Sequence, residues 1–134
     1  MSLAPTLQQY LTNQQIAYDV IPHQETLSST RTAEACHVSG DCLAKGVLLR
    51  DQRGYLLAVL PASHRIRLSD LQDALSPGVE LAQESEVEAW FRDCERGAIP
   101  PVGDMCSVGS CRIRHDRARF HQLHDLGLAR LAAL

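Results

Sequence analysis

The first residue that invites a chemical reading is Lys45, the only lysine in a chain that carries twelve arginines. It sits in an apolar stretch, between Leu43-Ala44 and Val47-Leu48-Leu49. A strand lysine is ordinarily an edge residue kept in water, where its charge also discourages strand pairing. The alternative places the ammonium in a partly desolvated cleft. There it would serve as a point charge for a carbonyl or phosphate oxygen, or as an amine nucleophile of lowered pKa. A surface that otherwise uses arginine weakens the first reading without proving the second. Further on, "GAIPPVG" runs from Gly97 to Gly103. Its prolines fix φ and its glycines remove side chains. It is therefore either a stiff turn closing a sheet or a loop whose backbone N–H groups approach a ligand carbonyl. "PASHRIRLSD" brings His64, Arg65 and Arg67 together after a strand, either solvated or placed to touch the phosphates of a nucleic acid.

Other chemistries lack their residues. There is no GxSxG and no Gly-rich phosphate loop, and no Ser-His-Asp set assembles. His23, His37 and His115 are isolated and read as surface residues. The five cysteines (Cys36, Cys42, Cys94, Cys106 and Cys111) are odd in number and form no CxxC pair, which suits reduced thiols better than a disulfide framework. Cys106, Cys111 and His115 lack a fourth ligand at a recognisable zinc spacing, so no metal site is expected.

The elements that must position these groups can be read from pattern. At 134 residues the chain should form one domain with a real core, and with aromatics at 4% that core should be aliphatic. No apolar run is long enough to span a bilayer, and "MSLAPTLQQYL" lacks the features of a signal peptide, so a cytoplasmic protein without a membrane partner is expected. Leu3, Leu7, Tyr10 and Leu11 are spaced like one face of a helix. Ile16, Tyr18 and Val20 suggest one face of a short strand that Pro22 ends. "SSTRTAEACHV" offers Ser and Thr caps for a helix stopped by Gly40. Leu43–Leu49 and Tyr55–Leu60, joined by "RDQRG", read as a buried antiparallel hairpin. A capped short helix over "LSDLQDAL", a strand at "VELA" and a helix over "SEVEAWFRD" follow, the last with Ser85 as cap and Glu88 at the capping-box position. Phe120, Leu123, Leu126, Leu128 and Leu131 could form a short C-terminal amphipathic helix. This order predicts an α/β protein of α+β-like type with a mixed sheet.

Charge divides the chain. Residues 1–103 carry a net −5, whereas 104–134 carry +2 with five arginines and three of the six histidines. Such a shift marks an interaction tail or a segment of different origin.

Taken together, "LAKGVLLRDQRGYLLAVLPASHRIRLSDLQDAL", the short strand, "ESEVEAWF" and "GAIPPVGD" resemble the YbaK-type aminoacyl-tRNA deacylases, also called the prolyl-tRNA-synthetase-associated editing domain. The likeness covers roughly residues 3–104. It implies a mixed, partly barrel-like sheet flanked by short helices. It also implies hydrolysis of the ester between a wrong, small amino acid and the 3′ end of a tRNA. Lys45 would carry the family's essential side chain, and Gly97 would position the aminoacyl carbonyl through the backbone. Ala98, Ile99, Pro100, Pro101 and Gly103, with Gly46 and His64, are expected to line the substrate. Some members have a polar residue where this chain has Gly46. No metal or organic cofactor is implied. The expected partners are a mischarged aminoacyl-tRNA, an aminoacyl-tRNA synthetase and a second copy of the chain. The expected division is an editing domain over 1–104 with a divergent tail of the same domain over 105–134. That tail, divergent or shifted in reading frame, should leave the sheet short of strands, with dimerisation covering the edge. Two other functions compete: a non-catalytic module that binds an amino acid or a tRNA end, and a Schiff-base enzyme using Lys45.

Overall fold

The computed structural model describes residues 3–95 and 98–101, and the backbone of two strands at 112–115 and 130–132. The central element is the expected hairpin. Strand β2 (Ala44–Asp51) runs antiparallel to β3 (Gly54–Pro61), in a register that pairs Lys45 with Leu60 and Asp51 with Gly54. Gly54 closes the turn at φ +114°, a backbone conformation that a residue with a Cβ rarely adopts. Asp51 steadies the same turn by accepting a 2.7 Å bond from the Arg53 N–H.

Both faces of the hairpin are covered, which is why its strands are almost continuously apolar. On one face Leu48, Leu57 and Val59 pack with Trp90 and Phe91 at the end of α4 (Glu84–Trp90). On the other, Leu49, Leu56 and Ala58 pack with Val79 and with Leu68 and Leu71 of α3 (Leu68–Ala74). Leu49, Leu57 and Val79 have no exposed surface, so these two layers are the centre of the core. A separate cluster joins Leu3 to Leu7 and Leu11 of α1 (Pro5–Asn13), the helical face expected from their spacing. α1 is tied to the chain after α4 through Asp93, whose Oδ2 accepts from Thr6 N at 2.8 Å and from Thr6 Oγ1 at 2.5 Å.

The main sheet has the strand order β4-β2-β3-β5. β4 (Glu80–Leu81) pairs antiparallel with β2 at Leu49 and Arg50, while β5 (Arg112–His115) pairs parallel with β3. A small second sheet joins β1 (Asp19–Ile21) in parallel to β6 (Arg130–Ala132). The fold is mixed α/β with a mixed sheet and short helices, as expected.

Several local expectations change. β5 and β6 both come from the arginine-rich tail, so the tail supplies strands instead of leaving the sheet short of them. Leu131 lies in β6, not in a helix; the rest of the expected C-terminal helix falls outside the described residues. Val20 and Ile16 are exposed, and only Tyr18 of that trio packs on the first cluster. α2 (Ser29–Ala35) is capped by Ser28, whose Oγ accepts from Arg31 N at 3.3 Å, but it ends before Gly40, with His37 at φ 55°. α3 has no side-chain cap bond. The capping box of α4 is Gln83 with Glu86, two residues before the pair expected from sequence.

Candidate active site at the open end of the hairpin

Lys45 lies one residue inside β2, at the end of the hairpin away from the Gly54 turn. Strand alternation puts its side chain on the face of Val47 and Leu49, opposite that of Gly46 and Leu48. The side chain is half-buried, and Nζ donates to the Ala62 carbonyl at 3.3 Å. Burial lowers the pKa of the ammonium, and the neighbouring positive charge of Arg65 lowers it further. Among the described residues no carboxylate lies within ion-pair distance of Lys45. An ammonium has three donor positions, and among the described residues one long bond to a carbonyl occupies a single one, leaving the others for solvent or a ligand.

The carbonyl that meets Lys45 is held by a compact turn after β3. Ala62 N donates to Leu43 O at 2.8 Å, and His64 N donates to Pro61 O at 3.0 Å. Ser63 is clamped from the facing segment. Its N–H donates to Gly40 O at 3.3 Å, and its hydroxyl bonds Asp41 Oδ1. Any side chain at position 40 would crowd Ser63, because a Cβ there would lie 3.3 Å from the Ser63 Cβ. The turn leads directly to His64, whose Nδ1 is buried with no hydrogen-bond partner among the described residues. A buried, unmatched ring nitrogen two residues after the carbonyl that meets the Lys45 ammonium is the kind of polar deficit that a ligand can fill.

The proline loop reaches β2 from elsewhere. Pro100 is buried, Ala98, Ile99 and Pro101 are half-buried, and Ile99 packs on the Trp90–Phe91 cluster. Its point of contact is Gly46: a Cβ built there would lie 3.2 Å from Ile99 Cγ2 and 3.3 Å from Ile99 O. The structure therefore brings the loop to the residue next to Lys45, while the lysine itself meets Ala62 and Arg65. Gly97 and Gly103 lie outside the described residues. The backbone also narrows which loop groups can act. Pro100 and Pro101 have no N–H, and that of Ala98 is engaged with Glu95 O at 2.9 Å. Of residues 98–101, only Ile99 can present an N–H to a ligand.

Sequence reasoning missed the Ala62 carbonyl and the Asp41–Ser63 clamp. A backbone acceptor has no residue-type signature, and the clamp needs the hairpin register to bring residues 40–43 onto 61–64. The chemistry of the site is that of a fixed cation beside polar backbone, without an obvious base. Among the described residues no group of His, Cys, Asp and Glu could hold a metal ion. Cys36, Cys42 and Cys94 are free thiols, while Cys106 and Cys111 fall outside the described residues.

This architecture is that of a known class of domain. At a TM-score of 0.70 and 18% identity, the chain is similar to the crystal structure of a candidate trans-editing enzyme for prolyl tRNA synthetase, with 89% of this chain and 76% of that one covered. It is similar to the hypothetical protein APE2540 at a TM-score of 0.70 and 19% identity, covering 84% and 74% of the two chains. A scaffold protein from work on epitope backbone grafting by computational design has the same fold at a TM-score of 0.71 and 14% identity, covering 87% and 73%. Comparison with curated proteins gives no match. Residues 23–113 match the aminoacyl-tRNA editing domain family, and the chain belongs to that family.

Proposed function

We propose that this editing domain is a trans-acting aminoacyl-tRNA deacylase, with Lys45 as its essential side chain. The reaction would hydrolyse the ester joining a small, wrong amino acid to the 3′ end of a tRNA. The observation that carries this reading is the half-buried Lys45 ammonium, which has no carboxylate partner among the described residues and is held beside a structured turn. An aminoacyl ester is already activated, so positioning and charge stabilisation supply most of what hydrolysis needs. Water adds to the ester carbonyl, and the developing oxyanion is stabilised by the Lys45 ammonium. The C–O bond to the ribose then breaks. The ribose oxygen leaves as a hydroxyl, and the amino acid leaves as its carboxylate with release of a proton. Site size would select the amino acid, since a larger side chain is rejected by exclusion alone.

The editing unit is placed at 1–104, with 105–134 as a divergent continuation of the same domain. Pairing of Arg112–His115 with β3 supports treating the two as one domain. An aminoacyl-tRNA synthetase and a second copy of the chain are proposed as further partners, and the cytoplasm as the site of action. Among the described residues no helix is long and apolar enough to cross a membrane.

The test is incubation with tRNAs mischarged with alanine, serine, cysteine and threonine, beside correctly charged controls. Catalytic loss of the ester from at least one mischarged tRNA is expected. Binding without hydrolysis would instead make the chain a recognition module. Trapping of a substrate on Lys45 by borohydride would move the chemistry to a Schiff base.

A further inference from the structure

Gly46 stands between the two halves of the site, and its surroundings give it a role other than contact with substrate. Three atoms crowd the place its Cβ would occupy: Leu57 Cδ1 at 3.1 Å, Ile99 Cγ2 at 3.2 Å and Ile99 O at 3.3 Å. The Leu57 contact is the flexible end of a side chain. The Ile99 carbonyl is backbone, and it belongs to a segment that cannot easily yield. Pro100 and Pro101 have fixed φ angles, and each restricts the residue before it, so rotation at Ile99 and Pro100 is limited. On its other side the loop is held by the Ala98 N–H to Glu95 O bond at 2.9 Å. Pro100 is buried, and Ile99 packs on the Trp90–Phe91 cluster. A displacement at Ile99 is therefore passed along the loop instead of being absorbed where it arises.

We infer that Gly46 and Ile99 form a size-complementary pair that sets how closely the proline loop approaches the strand bearing Lys45, and so which aminoacyl side chain the site accepts. Ile99 fills the space that a side chain at position 46 would take. Gly46 is thus a positioning residue: its contact with Ile99 seats the loop on the face of β2 opposite the Lys45 side chain and fixes the loop relative to the Lys45 end of that strand. This inference rests on the proposed deacylase reading for its consequence, but the pairing itself can be tested without turnover.

The experiment compares the full chain with Gly46→Ala, Ile99→Ala and the double variant. Three measurements are made: kcat and KM on tRNAs carrying alanine, serine, cysteine and threonine; affinity for non-hydrolysable amide-linked aminoacyl-RNA analogues of the same four; and thermal melting. For Gly46→Ala we expect kcat on the preferred substrate to fall by about tenfold or more, because small misplacements near reacting atoms have large effects on rate. The order of preference among the four amino acids should change, in turnover and in analogue affinity alike, while the melting curve stays cooperative. Adding Ile99→Ala to Gly46→Ala should recover part of the loss, which is the signature of a coupled pair. An unchanged order of preference, or a double variant whose defect is the product of the single ones, would overturn the pairing. Failure of the unsubstituted chain to hydrolyse any of the esters would sink the deacylase reading. The analogue affinities would then decide the pairing by the same criteria.

Discussion

The two ends of the β2–β3 hairpin handle charge in opposite ways. Near the Gly54 turn, the Arg50 guanidinium meets Glu80 at 2.7 Å and Glu86 at 3.0 Å, and Glu86 also accepts from the Tyr55 hydroxyl at 2.7 Å. The second oxygen of Glu86 accepts from the Gln83 N–H at 2.7 Å and closes the α4 capping box. Tyr55 adds a tilted ring contact with Trp90, with centroids 4.6 Å apart. Charge and hydrogen-bonding capacity are matched there. At the open end, Lys45 has one long bond to a carbonyl, a neighbouring positive charge from Arg65 and a buried His64 nitrogen without a partner among the described residues. Matched polar groups hold a fold in one arrangement, whereas unmatched ones cost stability and persist where a ligand completes them. The first end joins sheet to helix, and the second is where the substrate is proposed to bind.

The largest effect should come from the unmatched end. Lys45→Ala is expected to slow ester hydrolysis by about 100- to 1000-fold, the usual loss on removing one group that stabilises an oxyanion. Its melting temperature should hold or rise, since the substitution removes a partly desolvated charge that has no ion-pair partner among the described residues. Lys45→Arg should not restore the rate, because the broader guanidinium cannot take the place of a compact ammonium beside Ala62. A large fall in stability with Lys45→Ala would erase the contrast between the two ends.

Substitution at the matched end should do the reverse. Glu86→Ala removes the acceptor for Gln83, Tyr55 and Arg50 at once, so it should lower the melting temperature and leave turnover per folded molecule unchanged. Glu80→Ala should cost less, because its side chain is 58% exposed against 19% for Glu86 and, among the described residues, it accepts only from Arg50 Nε. The bonds from the Gln83 N–H and then the Tyr55 hydroxyl hold the Glu86 carboxyl below its ordinary 4.5. A depressed carboxyl stabilises the fold above its unfolded value, and that contribution fades as pH falls from 4.5 through the lower folded value. Acid melts of the unsubstituted chain and Glu86→Gln should therefore converge in that window.

How far the sequence reveals each end follows from the physics of that end. The hairpin was readable because burial on both faces forces near-continuous apolar strands, and Gly54 marks the turn. Lys45 stood out by type and setting, and its family role came from resemblance. The cap of α4 is ambiguous in sequence because "QESEVE" holds two overlapping solutions, Gln83 with Glu86 and Ser85 with Glu88. Contacts from Tyr55 and Arg50 to Glu86 accompany the first, and no local pattern announces them. Tyr18 and Val20 alternate like one face of a strand, yet among the described residues β1 pairs with β6 alone and leaves Val20 open. The tail's strands escaped notice because pairing with a preformed strand needs backbone groups more than an apolar pattern. Gly46 and Ile99 are far apart in the chain, so their fit is visible only once the loop is in place.

The finest test of the contrast is the proximity of Arg65 to Lys45. If the ammonium is the working form, activity should fall as pH rises through the lysine's pKa, which burial and then Arg65 bring below 10.5. The same lowering means that the charged lysine costs stability at neutral pH, and that this cost fades as pH rises through the folded value. Arg65→Gln removes the second cause and keeps the first. The alkaline limb of the rate profile, corrected for uncatalysed ester loss, should move upward toward 10.5 without reaching it. Because Arg65 is exposed, its influence acts partly through solvent, so the difference between the two profiles should shrink in 1 M salt, where charges are screened within about 3 Å. A limb that does not move, or moves downward, would mean that Arg65 does not act on the lysine. The open end would then be a single half-buried cation, and not a pair of like charges awaiting an anion.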